Sequence, residues 1–316
     1  MRIALMIEGQ EGVSWNDWLA LAAACEEHGV EALLRSDHYL SQTDPVLNQA
    51  LDAWTTLAGL AARTTRLRLG TLVSPVTFRH PSVLANAVAT VDQISGGRAE
   101  LGIGAGWMTE EHEAFGFPFP ETAERVRLFA EQLEIVHRLW TEKSVDFTGT
   151  NYQLEGAPGL PRPVQRPHPP IVVGGSGQRG TAVPAARFAD EYNPPFATVR
   201  QFAEIRGRVR RTCEAEGRDP DTMRFSLMTG CVIGADRDEA LDRARRLHAT
   251  SPREGDFESW LSGYSEAALV GSVDEVAARL RELEEVGCER VMLQHLLHNE
   301  LDSVALIGRE LAPEVA

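Results

Sequence analysis

The sequence has 316 residues, of which 46 are acidic and 31 are basic, giving a formal net charge of -15. This balance argues against a nucleic-acid-binding surface, which needs a basic stripe, and no apolar run approaches the roughly 18 residues of a membrane span. The four cysteines, Cys25, Cys213, Cys231 and Cys288, lie far apart without Cys-x-x-Cys spacing. Because such cysteines are typical of reduced thiols, we predict a cytoplasmic protein that contacts neither nucleic acid nor membrane.

Strands and helices alternate through the first half of the chain. Short apolar runs predict strands at residues 2–8, 32–36, 66–73 and 99–104. A Ser14-x-x-Asp17 cap signal opens the first predicted helix, and Gly29 ends it. Apolar residues at helical spacing predict further helices at about 51–62, after Pro81 and at about 121–140.

An insertion rich in proline and glycine interrupts this alternation at about residues 141–170, where alternating apolar residues predict a small hairpin. Strands are then predicted at 170–174, 191–193, 224–233 and 290–294, separated by helices and by a second irregular insertion at about 250–269. Eight strands that alternate with helices favour a closed barrel over an open sheet. We therefore predict an α/β fold, a TIM (β/α)8 barrel with insertions, in which residues 1–316 form a single domain.

The active site of such a barrel lies at the carboxyl ends of its strands. The residues that end or follow the predicted strands are therefore the candidates: Glu8, Asp37, His38, Val73, Ser74, Ala105, Gly106, Trp107, Gly174, Gly175, Ser176, Gly177, Gln294 and His295. His38 is the candidate acid/base, because imidazole titrates near neutral pH and the acidic Asp37 precedes it. The alternative is a helix-capping aspartate beside a surface histidine, since neighbouring strand residues point to opposite faces.

Two other patterns near these strand ends have alternative interpretations. Trp107 either stacks on an aromatic ligand or fills the core. His295 and His298 could face together on a helical turn, but no carboxylate is spaced to join them, so we predict no metal site.

The segment Gly175-Ser-Gly-Gln-Arg-Gly180 follows a predicted strand and precedes a predicted helix. Backbone amides at a helix N-terminus, together with Arg179, would hold a phosphate; the alternative is a tight structural turn. A dinucleotide-binding fingerprint is disfavoured, because that motif belongs to the first β/α unit and this one lies in the fifth.

Five segments together resemble the bacterial luciferase-like family, in its deazaflavin (coenzyme F420)-dependent oxidoreductase branch. They are Arg35-Ser-Asp-His-Tyr39, Leu69-Gly-Thr-Leu-Val-Ser-Pro-Val-Thr-Phe-Arg-His-Pro81, Ile94-Ser-Gly-Gly-Arg98, Gly102-Ile-Gly-Ala-Gly-Trp107 and Val172-Val-Gly-Gly-Ser-Gly177. With the helix start at Gly271-Ser-Val-Asp-Glu275, which is also typical, the resemblance covers essentially the whole chain.

The resemblance implies a TIM barrel that binds the deazaflavin at its strand ends, with a non-proline cis peptide at Leu72–Val73 or Val73–Ser74 under the ring. It implies that His38 transfers a proton. The cofactor-binding residues that we predict on this basis are Asp37, Val73, Ser74, Ala105, Gly106, Gly174, Gly175, Ser176, Gly177 and Arg179.

The implied function is an F420-dependent oxidoreductase that moves a hydride between the deazaflavin and an unidentified small organic substrate. Sugar-phosphate dehydrogenases of this branch carry a catalytic glutamate where this chain has Trp107, which argues against that particular activity. The alternatives are an FMN-dependent monooxygenase of the same family and a flavin- or deazaflavin-binding protein without turnover. An NAD-dependent dehydrogenase would rest on the Gly175 motif alone. Members of the family often form homodimers, so a homodimer is compatible with the resemblance.

Overall fold

Eight parallel strands close into a barrel in the computed structural model, which describes residues 1–250 and 255–316. In the described part of the chain the strands are β1 (Arg2–Ile7), β2 (Ala32–Arg35), β3 (Arg68–Thr71), β4 (Ser74–Pro75), β5 (Ala99–Gly104), β6 (Ser144–Thr148), β7 (Gln153–Pro158), β8 (Ile171–Gly174), β9 (Glu191–Asn193), β10 (Arg224–Gly234), β11 (Leu269–Ser272) and β12 (Arg290–Gln294). The barrel runs in the order β1-β2-β3-β5-β8-β9-β10-β12 and closes where β12 pairs with β1. The predicted TIM barrel is confirmed.

Helices cover the outside of the barrel. They are α1 (Trp15–His28), α2 (Ala53–Ala61), α3 (Pro81–Ser95), α4 (Thr109–Phe115), α5 (Thr122–Thr141), α6 (Arg179–Phe188), α7 (Val199–Ala215), α8 (Arg237–Thr250), α9 (Phe257–Tyr264), α10 (Val273–Glu285), α11 (Leu301–Leu306) and α12 (Ala312–Glu314), with a π turn at Ile307–Leu311 between the last two. The predicted cap signals are confirmed, because Ser14 and Asp17 form a capping box and Gly29 ends α1 in the left-handed conformation. None of the described helices combines the length and apolarity that crossing a membrane requires.

The insertions and the third strand differ in detail from the prediction. The first insertion contains the predicted hairpin, β6 paired with β7. The second was predicted to be irregular, yet its described part contains α9, and β11 begins at its last residue; residues 251–254 of it lie outside the described residues. The third predicted strand is divided into β3 and β4, which both pair with β5, by the residues Leu72 and Val73.

Side chains of the barrel strands alternate between two hydrophobic layers, as expected for a pleated sheet. On β1, Ile3, Leu5 and Ile7 belong to the large outer layer between strands and helices, whereas Ala4 and Met6 belong to a small inner layer. The inner layer consists of Ala4, Met6, Ala32, Leu34, Leu72, Val172, Met228 and Met292. Of these, Met6, Leu72 and Met228 also line the cavity described below, so the inner layer forms the base of that cavity.

A buried ionic network fills the opposite end of the barrel, where the strands begin. Arg290, which is 1% exposed, opens β12 and lies 2.7 Å from Glu100 of β5, 3.3 Å from Glu31 and 3.8 Å from Glu191 of β9. Arg68 of β3 donates a further hydrogen bond to Glu100. Burial raises the pKa of Glu100, but Arg290 and Arg68 together lower it to about 2. The carboxylate is therefore charged and paired inside the barrel.

Candidate active site

A cavity of about 1630 Å³ opens at the carboxyl ends of the barrel strands. Seven of the residues predicted as catalytic or cofactor-binding line it: His38, Val73, Ala105, Gly106, Gly174, Gly175 and Ser176. The other four, Asp37, Ser74, Gly177 and Arg179, lie outside its lining. The cavity therefore brings together residues that follow β2, β3, β5 and β8, as the barrel geometry requires.

The floor of the cavity is built around Val73, whose peptide bond to Leu72 is cis. This is one of the two positions expected for the cis bond. Glycines lie on both sides of the valine. A Cβ added to Gly104 would come within 2.7 Å of the Val73 side chain, and one added to Gly174 within 3.0 Å. Because Gly104 and Gly174 have no side chains, Val73 fits between β5 and β8. No side chain of these two residues projects from this part of the cavity floor.

Asp37 and Ser74 lie beneath this floor, where both are about 1% exposed. The Ser74 hydroxyl donates to the Asp37 carboxylate at 2.6 Å, and the Arg79 guanidinium donates to the same carboxylate at 2.5 Å. Arg79 also donates to Asp52, at 2.7 Å. These contacts join the loops after β2 and β3 to the start of α2, so Asp37 holds the backbone that carries His38.

His38 is paired with Glu111, which sequence reasoning did not identify. The Nδ1 atom of His38 lies 2.8 Å from a Glu111 carboxylate oxygen. The other oxygen accepts hydrogen bonds from the backbone amides of Leu40, at 3.1 Å, and Tyr39. The Glu111 side chain is fully buried, and that of His38 is 13% exposed. The carboxylate thus fixes both the ring and the loop that bears it, with the ring at the cavity wall.

This pairing sets the protonation of both groups. Burial lowers the pKa of His38, but the hydrogen bond and negative charge of Glu111 more than offset it, so the His38 pKa lies above its ordinary value. Burial raises the pKa of Glu111, but its hydrogen bond to His38 and its backbone donors bring it below the ordinary value. A histidine tuned in this way is suited to proton transfer near neutral pH.

Trp107 does not fill the core, because it is 60% exposed at the cavity. Its ring meets that of His38 edge to face, with the ring centroids 5.6 Å apart. The first of the two interpretations, contact with an aromatic ligand, is the one compatible with this position. Of the two residues predicted at the end of β12, Gln294 lines the cavity, whereas His295 is buried beside it.

The loop between β8 and α6 forms a polar recess in the cavity wall. Gly175, Ser176, Gln178 and Thr181 line it. Gln178, at the N-cap of α6, makes no side-chain hydrogen bond to the helix. The Thr181 amide donates to the Gln178 carbonyl at 3.0 Å, which leaves the amides of Arg179 and Gly180 without an intrahelical partner and suited to an anion. Arg179 is exposed and does not line the cavity, whereas Arg125 of α5, which sequence reasoning missed, does line it.

Comparison with known proteins finds similarity to one family over most of the chain. The model of the luciferase-like monooxygenase family matches residues 2–290. An F420-dependent glucose-6-phosphate dehydrogenase from Nakamurella multipartita is 28% identical, over 93% of this chain and 91% of that protein. One from Microbacterium testaceum is 35% identical, over 73% of this chain and 68% of that protein.

Solved structures show the same fold. The monooxygenase RslO1 from Streptomyces bottropensis has a TM-score of 0.80 at 26% identity, with both chains fully covered. The F420-dependent tetrahydromethanopterin reductase from Methanopyrus kandleri has a TM-score of 0.80 at 20% identity, again over both full chains. With the family model spanning most of the sequence, the chain belongs to the luciferase-like monooxygenase family.

Proposed function

We propose that the cavity binds coenzyme F420 and that the chain is an F420-dependent oxidoreductase acting on a small organic substrate. The observation that carries the proposal is the placement of His38, paired with buried Glu111, beside the glycine-flanked floor at Val73. The relatives named as F420-dependent dehydrogenases support the choice of cofactor.

The residues present fit this cofactor, which carries a flat ring and a phosphate. Val73, Gly104 and Gly174 offer a flat surface, because any side chain on either glycine would meet the valine. At Gly175 a Cβ would come within 2.7 Å of the Tyr192 hydroxyl, so the loop requires glycine there to pack against Tyr192. We propose that the floor residues, with Ala105 and Gly106, contact the ring, and that Gly175, Ser176 and the start of α6 hold the phosphate.

The chemistry that F420 would supply here, when bound, is hydride transfer to or from the substrate. His38 takes up the proton that leaves the substrate together with the hydride, or returns it in the reverse direction. Glu111 holds the ring of His38 in one orientation and stabilises its protonated form. The cavity aligns the two reactants, an effect that can contribute about 7–11 kcal/mol to lowering a barrier.

Replacement of Glu111 by glutamine should reduce turnover and shift its pH dependence. The change keeps the size of the side chain but removes the charge that raises the pKa of His38, so the limb of the kcat/KM profile due to His38 should move to lower pH. Disturbed alignment of the ring should lower kcat by up to about 10²-fold. The measurement is kcat/KM as a function of pH for the wild type and the variant.

Glu110→Gln is the matched control, because Glu110 lies exposed beside Glu111 on the same helix. The control should leave the profile unchanged. An unshifted limb in Glu111→Gln would show that Glu111 does not tune His38.

The choice of cofactor is tested by titrating the purified protein with F420 and then with FMN, following the fluorescence of each ligand. We expect saturable binding of F420 and weaker binding of FMN. A preference for FMN would instead support an oxygen-dependent monooxygenase, and binding of neither would support a barrel with a different role.

Location, domain organisation and oligomeric state are three further properties that we propose for this protein. We propose a cytoplasmic location, since all four cysteines are free and buried and free thiols are typical of reducing compartments. We also propose that residues 1–316 form one domain, because the barrel begins at β1 and closes only with β12. A homodimer is proposed on family resemblance alone.

A further inference from the structure

The charged groups of the cavity are divided between two opposite walls. In the barrel order, β1 and β8 lie four strands apart in both directions, so their ends face each other across the mouth. The wall after β8 contains the start of α6, and α5 with Arg125 packs beside it, since a Cβ on Gly180 would come within 2.9 Å of Val126. The opposite wall contains Glu8 after β1 and Gln294 of the neighbouring β12.

Two other carboxylates of the cavity lining are already neutralised or used by the fold. Glu300 lies 3.2 Å from Arg243 and 2.8 Å from Arg246, so its charge is compensated. Glu11 accepts hydrogen bonds from several donors of the loop after β2, among them the Ser41 hydroxyl at 2.6 Å and the Gln42 amide at 2.9 Å. Its role is to hold that loop.

Glu8 differs from Glu300 because its partners are neutral, and it differs from Glu11 because two side-chain amides contact it where several donors of one loop hold Glu11. One carboxylate oxygen accepts from the Gln294 side chain at 2.6 Å, and the other accepts from the Gln10 side chain at 3.0 Å. These amides orient the carboxylate but leave its charge uncompensated, and a carboxylate can accept more than two hydrogen bonds. Glu8 also lies close enough to His38 for its charge to help raise the pKa of that residue. Glu8 therefore lies at the same end of the cavity as His38, the proposed proton-transfer residue.

No arginine or lysine of residues 1–250 or 255–316 lines this wall; the one that lines the cavity is Arg125, beside the α6 recess. His298 is also at the cavity, but burial lowers its pKa, which favours the neutral imidazole at pH 7. A phosphate group placed beside Glu8 would meet a carboxylate that no arginine or lysine of the described lining offsets.

We propose that the substrate carries a protonated amine, which pairs with the carboxylate of Glu8, and that phosphorylated compounds are excluded from this end of the cavity. The proposal deepens the oxidoreductase function and rests on it. It sets this chain apart from the relatives named as glucose-6-phosphate dehydrogenases, whose named substrate is anionic.

Three probes with one carbon skeleton and different charge test the proposal: cyclohexylamine, cyclohexanol and cyclohexyl phosphate. Their affinities for the F420-loaded protein would be measured by calorimetry at pH 7.5, with glucose 6-phosphate as a second anion. We expect the amine to bind about tenfold more tightly than the alcohol, which is the difference expected from one partly screened ion pair. Both anions should bind more weakly than the alcohol.

Glu8→Gln should abolish the preference for the amine while retaining the shape of the side chain. Glu282→Gln, the same change on an exposed glutamate of α10 outside the cavity lining, should leave the preference intact. Tightest binding by either anion, no binding of the amine, or a preference that survives Glu8→Gln would overturn the proposal. Loading with F420 is followed separately by fluorescence, so failure of the cofactor assignment is distinguishable from failure of the substrate class.

Discussion

His38→Ala should lose turnover by about 10²- to 10⁴-fold, the range typical for removal of a general acid or base, while F420 affinity stays within a few-fold of the wild type. Turnover should fall without a matching loss of F420 affinity because the proposed cofactor-binding residues follow other strands. The floor at Val73 and the recess at α6 remain intact in this variant. Single-turnover rates and fluorescence titration of F420, measured on the same preparation, give the two quantities.

A matched control is His80→Ala, because His80 is exposed at the N-cap of α3 and lies outside the cavity lining. This variant should keep wild-type turnover. Equal loss of turnover and F420 affinity in His38→Ala would assign His38 to cofactor binding instead of proton transfer.

Arg290→Met should lower the free energy of unfolding by about 3–5 kcal/mol, as found when one member of a buried ion pair is removed. The methionine fills much of the space but leaves the carboxylates of Glu100, Glu191 and Glu31 without their shared partner. Urea denaturation at pH 7 measures the difference. Arg281→Met, which breaks an exposed pair with Glu314, should cost less than about 1 kcal/mol.

The stability difference between the wild type and Arg290→Met should also depend on pH. Because the pKa of Glu100 is lowered from 4.5 to about 2 in the folded protein, its paired charge stabilises the fold fully above pH 4.5, and this stabilisation disappears as the pH falls towards 2. The difference in stability between wild type and Arg290→Met should therefore narrow across this window. A difference independent of pH would show that packing, not charge, dominates at this position.

The barrel could be predicted from the sequence because its strands are short apolar runs between recognisable helix ends. Helix α4 could not, for a physical reason. Its N-cap, Met108, provides no capping side chain, and the residues that it buries, Glu111 and His112, are polar. A search for apolar residues at helical spacing has nothing to detect in such a helix.

The site was predictable only where strand ends determine it. Adjacency in sequence suggested Asp37 as the partner of His38 and Arg179 as the cation at the recess. In the structure His38 pairs with Glu111, 73 residues away, and Arg125 lines the cavity from α5. Both partners come from helices whose position depends on how the chain packs around the barrel, and local sequence does not contain that information.

The long strand β10 pairs with β12 and with β11 through separate parts of its length. Ser226 to Gly230 pair with β12 inside the barrel, whereas Cys231 to Gly234 pair with β11 beyond it. Helix α9, which precedes β11, brings Tyr264 to the cavity. The segment that contributes Tyr264 to the cavity wall is therefore distinct from the strands that close the barrel. Residues 257–272 could be exchanged, by evolution or by design, to alter specificity without altering the hydrogen bonds between β10 and β12.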